Sequence, residues 1–145
     1  MLGWRYSPPY DLYNLTMTGA AAADLVRFLA DPANQYYALL DAAGDLVAYC
    51  CFGADAQVPG GDYTHSALDI GLGVRPDLTG HGLGGRFVAA VLAFAAQTFP
   101  PAPFRVTIAV FNQRAQRVWA AAGFRPVQTF TRPSDNMPFV ILVRD

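Results

Sequence analysis

The feature that most constrains this chain is an apolar strand-like segment, residues 67–74, followed by Arg75-Pro76 and then Thr79-Gly80-His81-Gly82-Leu83-Gly84-Gly85. An apolar run long enough for a helix comes next, ending near Thr98. Strand, glycine-rich loop and helix in this order form a junction with a definite physical capacity. The first N–H groups of a helix lack intrahelical partners, and glycines let the backbone take positive φ and approach a ligand closely. Such a junction can hold phosphate oxygens on main-chain donors, assisted by the helix dipole. Its bland counterpart is a glycine-rich turn before a helix.

The rest of the chain is read around that junction. Residues 10–17 alternate imperfectly and are expected to form a first strand, after an arm rich in aromatics and proline. Residues 20–29 place Leu25, Phe28 and Leu29 on one helical face, with Thr18 as a cap and Asp31-Pro32 as the stop. Residues 35–41 and 45–52 read as a hairpin turning through Ala42-Ala43-Gly44. Residues 53–66 lose periodicity, carry Pro59, Gly60 and Gly61, and have the signature of a mobile loop bearing Tyr63 and His65. Beyond the central helix, Pro100-Pro101-Ala102-Pro103 forces a stop before a buried strand over 104–110. A helix starting at Asn112 is closed by Gly123, and strands over 124–130 and 137–144 complete the chain. The order β-α-β-β-β-α-β-α-β-β implies an α/β (α+β mixed) fold: a mixed, mostly antiparallel central sheet flanked by helices.

With 145 residues, the chain is expected to form one domain with a full core. The formal charge is -1 and no Lys/Arg cluster is present, which removes the electrostatic case for nucleic acid or an anionic membrane. The apolar stretch over 87–96 is too short for a bilayer span. Cys50 and Cys51 are adjacent on a strand and should point to opposite faces, which argues against a disulfide. Without further ligand spacing they do not suggest zinc. A reduced, cytoplasmic compartment is therefore expected, and the N-terminal residues show no leader-like positive region followed by an apolar core. Because residues 87–94 offer few polar positions, that helix is expected to be covered on both sides, either by chain termini or by a second subunit in a homodimer.

Together the loop and the helix after Asn112 become more specific. Val74-Arg75-Pro76, the loop from Thr79 to Gly84, and the segment from Asn112 through Trp119 to Gly123-Phe124 resemble the GNAT superfamily of N-acetyltransferases. That family's loop has the pattern Gln/Arg-x-x-Gly-x-Gly/Ala, and the hairpin over 37–52 is similar to its second and third strands. The resemblance implies acetyl-CoA, or another acyl-CoA, as cosubstrate. It places the pyrophosphate on main-chain N–H groups between His81 and Gly85, with Gly80, Gly82, Leu83 and Gly84 shaping the approach. It also implies that backbone amides near Leu72, Gly73 and Val74 address the thioester carbonyl, with splayed strands admitting the pantetheine arm.

The same resemblance makes Asp69, on the central strand, the candidate for a water-mediated base, with His65 as the second candidate because an unperturbed imidazole changes charge near neutral pH. Thr79 departs from the family's longer donor; it either contacts phosphate or closes a turn. His81 and Arg86 are phosphate contacts or solvated residues. Asn112 serves as the helix N-cap, as an anchor for the pantetheine arm, or as both. Arg114 and Arg117 are further phosphate candidates, Arg117 the one carried forward. Trp119 stands where many members have a tyrosine acting as general acid. Indole is not a practical proton source, so Trp119 either packs the acyl arm or fills the core. The implied partner is an amine-bearing small molecule or peptide, acylated by direct attack. The alternatives are a non-catalytic acyl-CoA-binding or regulatory module and an interaction domain whose loop binds nothing.

Overall fold

The computed structural model describes residues 1–15 and 17–145. Its centre is a six-stranded sheet built from β1 (Tyr36–Leu40), β2 (Leu46–Phe52), β3 (Leu68–Val74), β4 (Phe104–Ala109), β5 (Arg125–Thr131) and β6 (Pro138–Arg144). The spatial order is β1-β2-β3-β4-β6-β5. All neighbours are antiparallel except β3 and β4, which are parallel. The α-helices among the described residues are α1 (Gly19–Ala30), α2 (Gly84–Thr98) and α3 (Gln113–Ala121). α2 serves as the crossover that a parallel pair needs. This is the mixed, mostly antiparallel sheet flanked by helices expected from the element order.

Alternation along the strands assigns the two faces of the sheet. Cys50, Phe52, Ile70, Val106, Ile108, Val140 and Leu142 face α2 and α3 and pack with Val88, Val91, Leu92, Ala95 and Trp119. The buried residues of α2 fall at positions i, i+3, i+4 and i+7. Its outer face is carried by Ala89, Ala90, Ala93 and Ala96, all exposed. Short methyl side chains present little apolar area to water, which accounts for the scarcity of polar residues noted in this segment. Gly84 lets α2 approach α3, since a Cβ there would stand 2.9 Å from Val118 Cγ2. No helix among the described residues is long and apolar enough to cross a membrane.

On the opposite face α1 is anchored where Phe28 meets Tyr36 edge-on, at 6.0 Å. Tyr36 and Cys51 are register partners there. The two cysteines are free and buried on opposite faces, as alternation requires. Burial pushes the Cys50 thiol up to about 12 and the Cys51 thiol up to about 11 from an ordinary 9.0. Burial also raises Tyr49 from its usual 10.0. The folded protein therefore holds these protons to higher pH than the unfolded chain does. Stability is full below the unfolded thiol value of 9.0 and falls as pH rises from there toward about 11 and 12. Urea midpoints measured from pH 7 to 11 are expected to decline above pH 9; a flat profile would place these groups in contact with water.

Two expectations are corrected. The stretch over 10–17 contains no strand among its described residues; Tyr10–Tyr13 is a 3-10 turn, and Thr16 lies outside the described residues. Pro8 and Pro9 supply no N–H to a ladder, and Asn14 replaces a strand partner. Its Oδ1 accepts from the Tyr6 N–H at 2.6 Å, and its Nδ2 donates to the Tyr6 carbonyl at 3.3 Å. The loop after β2 is also pinned. It begins as a 3-10 turn, Gly53–Ala56. Further on, Gln57 Nε2 donates to Asp69 Oδ2 at 2.8 Å, and the Asp62 N–H donates to Gln128 Oε1 at 3.0 Å.

Candidate active site

The parallel pairing of β3 and β4 is brief. Only Leu68 with Phe104 and Asp69 with Arg105 are in register. Beyond them β3 stays bonded to β2 as far as Val74, and β4 stays bonded to β6 as far as Ala109. The two facing edges therefore part into a notch that is closed at Asp69 and open at Val74. Peptide groups on the inner edge of β3 are left without a sheet partner, and such groups need one. The orientation of the last is fixed. The Arg75 N–H donates to the Val47 carbonyl on β2 at 2.9 Å. In a planar trans peptide the Val74 carbonyl must point the other way, into the notch. There it accepts the Tyr6 hydroxyl at 2.8 Å. Leu72, Gly73 and Val74 thus lie along the open part of the edge. Gly73 has no room for a Cβ, which would run into the Tyr49 ring.

A buried ion pair closes the notch. Arg105 Nε donates to Asp69 Oδ1 at 2.6 Å and Nη2 to Oδ2 at 2.8 Å, both side chains being about 95% buried (exposures 5% and 4%). The third donor on the carboxylate is Gln57, and Arg105 Nη1 donates to the His65 carbonyl at 2.8 Å. Tyr63 covers the guanidinium at 4.9 Å, and its hydroxyl is 2.9 Å from Thr107 Oγ1. The two carboxylate oxygens take three donors and face a buried guanidinium, so Asp69 ties β3 to β4. His65 is exposed and lies upstream of β3, at the closed end. The geometry brings neither base candidate to the open part of the notch.

The glycine loop lies at the start of α2. Gly80 and Gly82 take φ of 76° and 74°, a region that costs other residues about 1–2 kcal/mol. A Cβ on Gly82 or Gly85 would meet nothing within 4 Å, so the backbone here is open to an incoming group. No side chain caps α2 at Leu83, and no acidic residue occupies its first turn. Thr79 closes the preceding turn, its hydroxyl donating to the Pro76 carbonyl at 2.7 Å. His81 and Arg86 are exposed beside the loop.

A second cation next to the loop is Arg114. Its Nη1 lies 3.3 Å from where a Gly80 Cβ would stand, and its guanidinium sits 3.9 Å over the Tyr10 ring. Arg117, one helical turn on, is exposed. Asn112 caps α3, its Oδ1 accepting from the Ala115 N–H at 3.1 Å, while its Nδ2 reaches Tyr13 Oη at 3.4 Å. Trp119 is 5% exposed and packs edge-on against Phe124 at 4.9 Å. Sequence reasoning missed Tyr6, Tyr10 and Tyr13 as elements of the site. Their only local signal was the density of aromatics in the arm.

An open strand edge next to an uncapped, glycine-lined helix start with an arginine beside it fits an elongated ligand carrying amides at one end and phosphates at the other. Residues 4–124 match the model of the acetyltransferase (GNAT) family. Among solved structures, a spermidine N-acetyltransferase from Vibrio cholerae in complex with CoA and spermine is similar over 90% of this chain and 77% of its own, with TM-score 0.68 and 14% identity. A spermidine N-acetyltransferase chimaera from Vibrio cholerae and hSSAT is similar over 92% of this chain and 83% of its own, with TM-score 0.69 and 14% identity. A Bordetella pertussis protein assigned to the same family is 22% identical over 86% of this chain and 73% of its own, with TM-score 0.61. No curated protein matches the chain in sequence.

Proposed function

Because the chain belongs to the acetyltransferase (GNAT) family, we propose that it transfers an acetyl group from acetyl-CoA to a primary amine of a small molecule or peptide by direct attack. The observation that carries this reading is the notch: β3 and β4 pair at two positions and then part, exposing the Leu72–Val74 edge. Acetyl-CoA supplies an activated thioester. The amine nitrogen forms the new C–N bond, the C–S bond breaks, CoA leaves as thiolate, and the nitrogen gives up its proton to water. Backbone N–H groups of Leu72 or Val74 would stabilise the oxyanion that develops on the thioester carbonyl; the Gly73 N–H, two residues before that of Arg75, turns toward β2 by the same alternation. Main-chain groups from Gly80 to Gly85 hold the pyrophosphate, with Thr79 and His81 at its margin. Arg114 is the main side-chain cation, and Arg117 is a more distant one.

Asn112 serves this reading twice, capping α3 and holding the Tyr13 hydroxyl with its amide, a group that would pass to the pantetheine arm. Trp119 keeps the wall of the site packed and supplies no proton. A thiolate is a tolerable leaving group, so water suffices as the proton source. The similar Vibrio cholerae enzymes act on spermidine by their names; we keep the acceptor as a primary amine, since likeness at 14% identity is one of fold.

The second reading, a non-catalytic acyl-CoA-binding module, is favoured by Trp119 and by the commitment of Asp69 to Arg105. Calorimetry with acetyl-CoA, followed by thiol release against a panel of amines and peptides, separates the two. Saturable binding with amine-dependent thiol release is the expected result. Binding without turnover across the panel would select the second reading, and absence of binding would overturn both.

A further inference from the structure

We propose that the N-terminal arm is an internal occupant of the notch, its Tyr6 hydroxyl holding the Val74 carbonyl that an amide N–H of the pantetheine chain would otherwise take. This rests on the acyl-CoA reading above. The arm reaches both walls. Tyr6 bonds the end of β3 at 2.8 Å, across 68 residues of sequence. Tyr13 stacks on Phe111, just past the end of β4, at 5.9 Å and 30°, and Tyr10 meets the same ring at 5.6 Å. Tyr6 and Tyr13 touch edge-on at 6.3 Å, linking the two attachments. The arm is thus a strap over the open end of the notch, tied to β3 on one side and to the β4–α3 turn on the other.

The tie to β3 is a single hydrogen bond from a half-buried side chain. Burial, with Tyr49 and Tyr13 nearby, pushes the Tyr6 hydroxyl up to about 12, so it stays a donor throughout the physiological range. A carbonyl on a free strand edge satisfied by a hydroxyl is a weaker arrangement than one satisfied by a ligand held along the whole edge. Exchange of one donor for the other therefore leaves no polar group unpaired. The other end of the strap bears on the ligand as well. Tyr10 stacks under Arg114, so displacing the arm also frees the guanidinium that stands beside Gly80.

Tyr6→Phe removes the competing hydroxyl and keeps the ring that packs on Tyr13. It is expected to bind acetyl-CoA roughly three- to tenfold more tightly than the parent by calorimetry, the range one hydrogen bond spans. Equal or weaker binding would overturn the inference and make Tyr6 a wall of the site, while parental binding of acetyl-CoA would leave the acyl-CoA reading intact. If the parent itself does not bind, both fall together. An independent readout needs no variant. Arg5 is tied down in the arm by Nη1 bonds to the Leu2, Trp4 and Leu15 carbonyls at 3.0, 2.7 and 3.1 Å. Trypsin cleavage after Arg5 should accelerate at saturating acetyl-CoA if the arm is displaced. Slower or unchanged cleavage would show that the arm stays closed over the ligand.

Discussion

Replacing Arg105 with methionine is expected to cost about 3–5 kcal/mol of folding stability, the usual consequence of removing one member of a buried ion pair. The cost arises from what is left behind. Asp69 would be left at 4% side-chain exposure with Gln57 as its remaining side-chain donor. The His65 carbonyl would lose its donor, and Tyr63 would lose the cation it covers. Replacing both members, Asp69→Leu with Arg105→Met, should recover much of that loss, because no charge then stays buried without a counter-charge. Urea unfolding of the parent, the two single variants and the double variant measures the coupling. A loss under about 1 kcal/mol for Arg105→Met would mean that water reaches the pair as it does a surface one. The pair also ends the parallel stretch between β3 and β4, so the single variants should weaken acetyl-CoA binding even where they remain folded.

Which parts of this architecture the sequence discloses depends on how local the determining physics is. The hairpin of β1 and β2, the junction of β3 and α2, and the helix after Asn112 are set by periodicity and by Gly or Pro within a few residues. They were legible to within one or two positions. The stretch over 10–17 was not, because imperfect alternation looks the same whether a neighbouring strand or a side-chain amide satisfies the backbone, and here Asn14 does so. Asp69 and Arg105 lie 36 residues apart. Each alone reads as a polar interruption of an apolar strand, and only the parallel register of β3 and β4 makes them partners. Arg114 and Arg117 share one helix with nothing local to choose between them. The difference is tertiary: Arg114 stands beside Gly80 and lies over Tyr10, from an arm about a hundred positions earlier. The parting of β3 from β4 leaves no mark in the sequence, since the edge residues would be the same in a continuous ladder.

Gly82→Val is expected to lower acetyl-CoA affinity about tenfold or more while costing at most about 1–2 kcal/mol in stability, the strain of a side chain at positive φ. Two features of the loop separate the effects. Gly82 has φ of 74°, which valine adopts poorly, yet a Cβ there meets no protein atom within 4 Å. The isopropyl group therefore spares the packing of α2 and projects into the space by which a pyrophosphate would reach the backbone donors. Gly84 provides the contrast two residues on. Its φ is unremarkable for an α-helix, but its Cβ would stand 2.9 Å from Val118 Cγ2. Gly84→Val should force α2 and α3 apart and lower the melting temperature along with the affinity. Comparing the two variants distinguishes a blocked ligand approach from a damaged scaffold. Parental affinity in a folded Gly82→Val would take the loop out of the binding site, and with it the main-chain phosphate cradle on which the acetyl-CoA assignment depends.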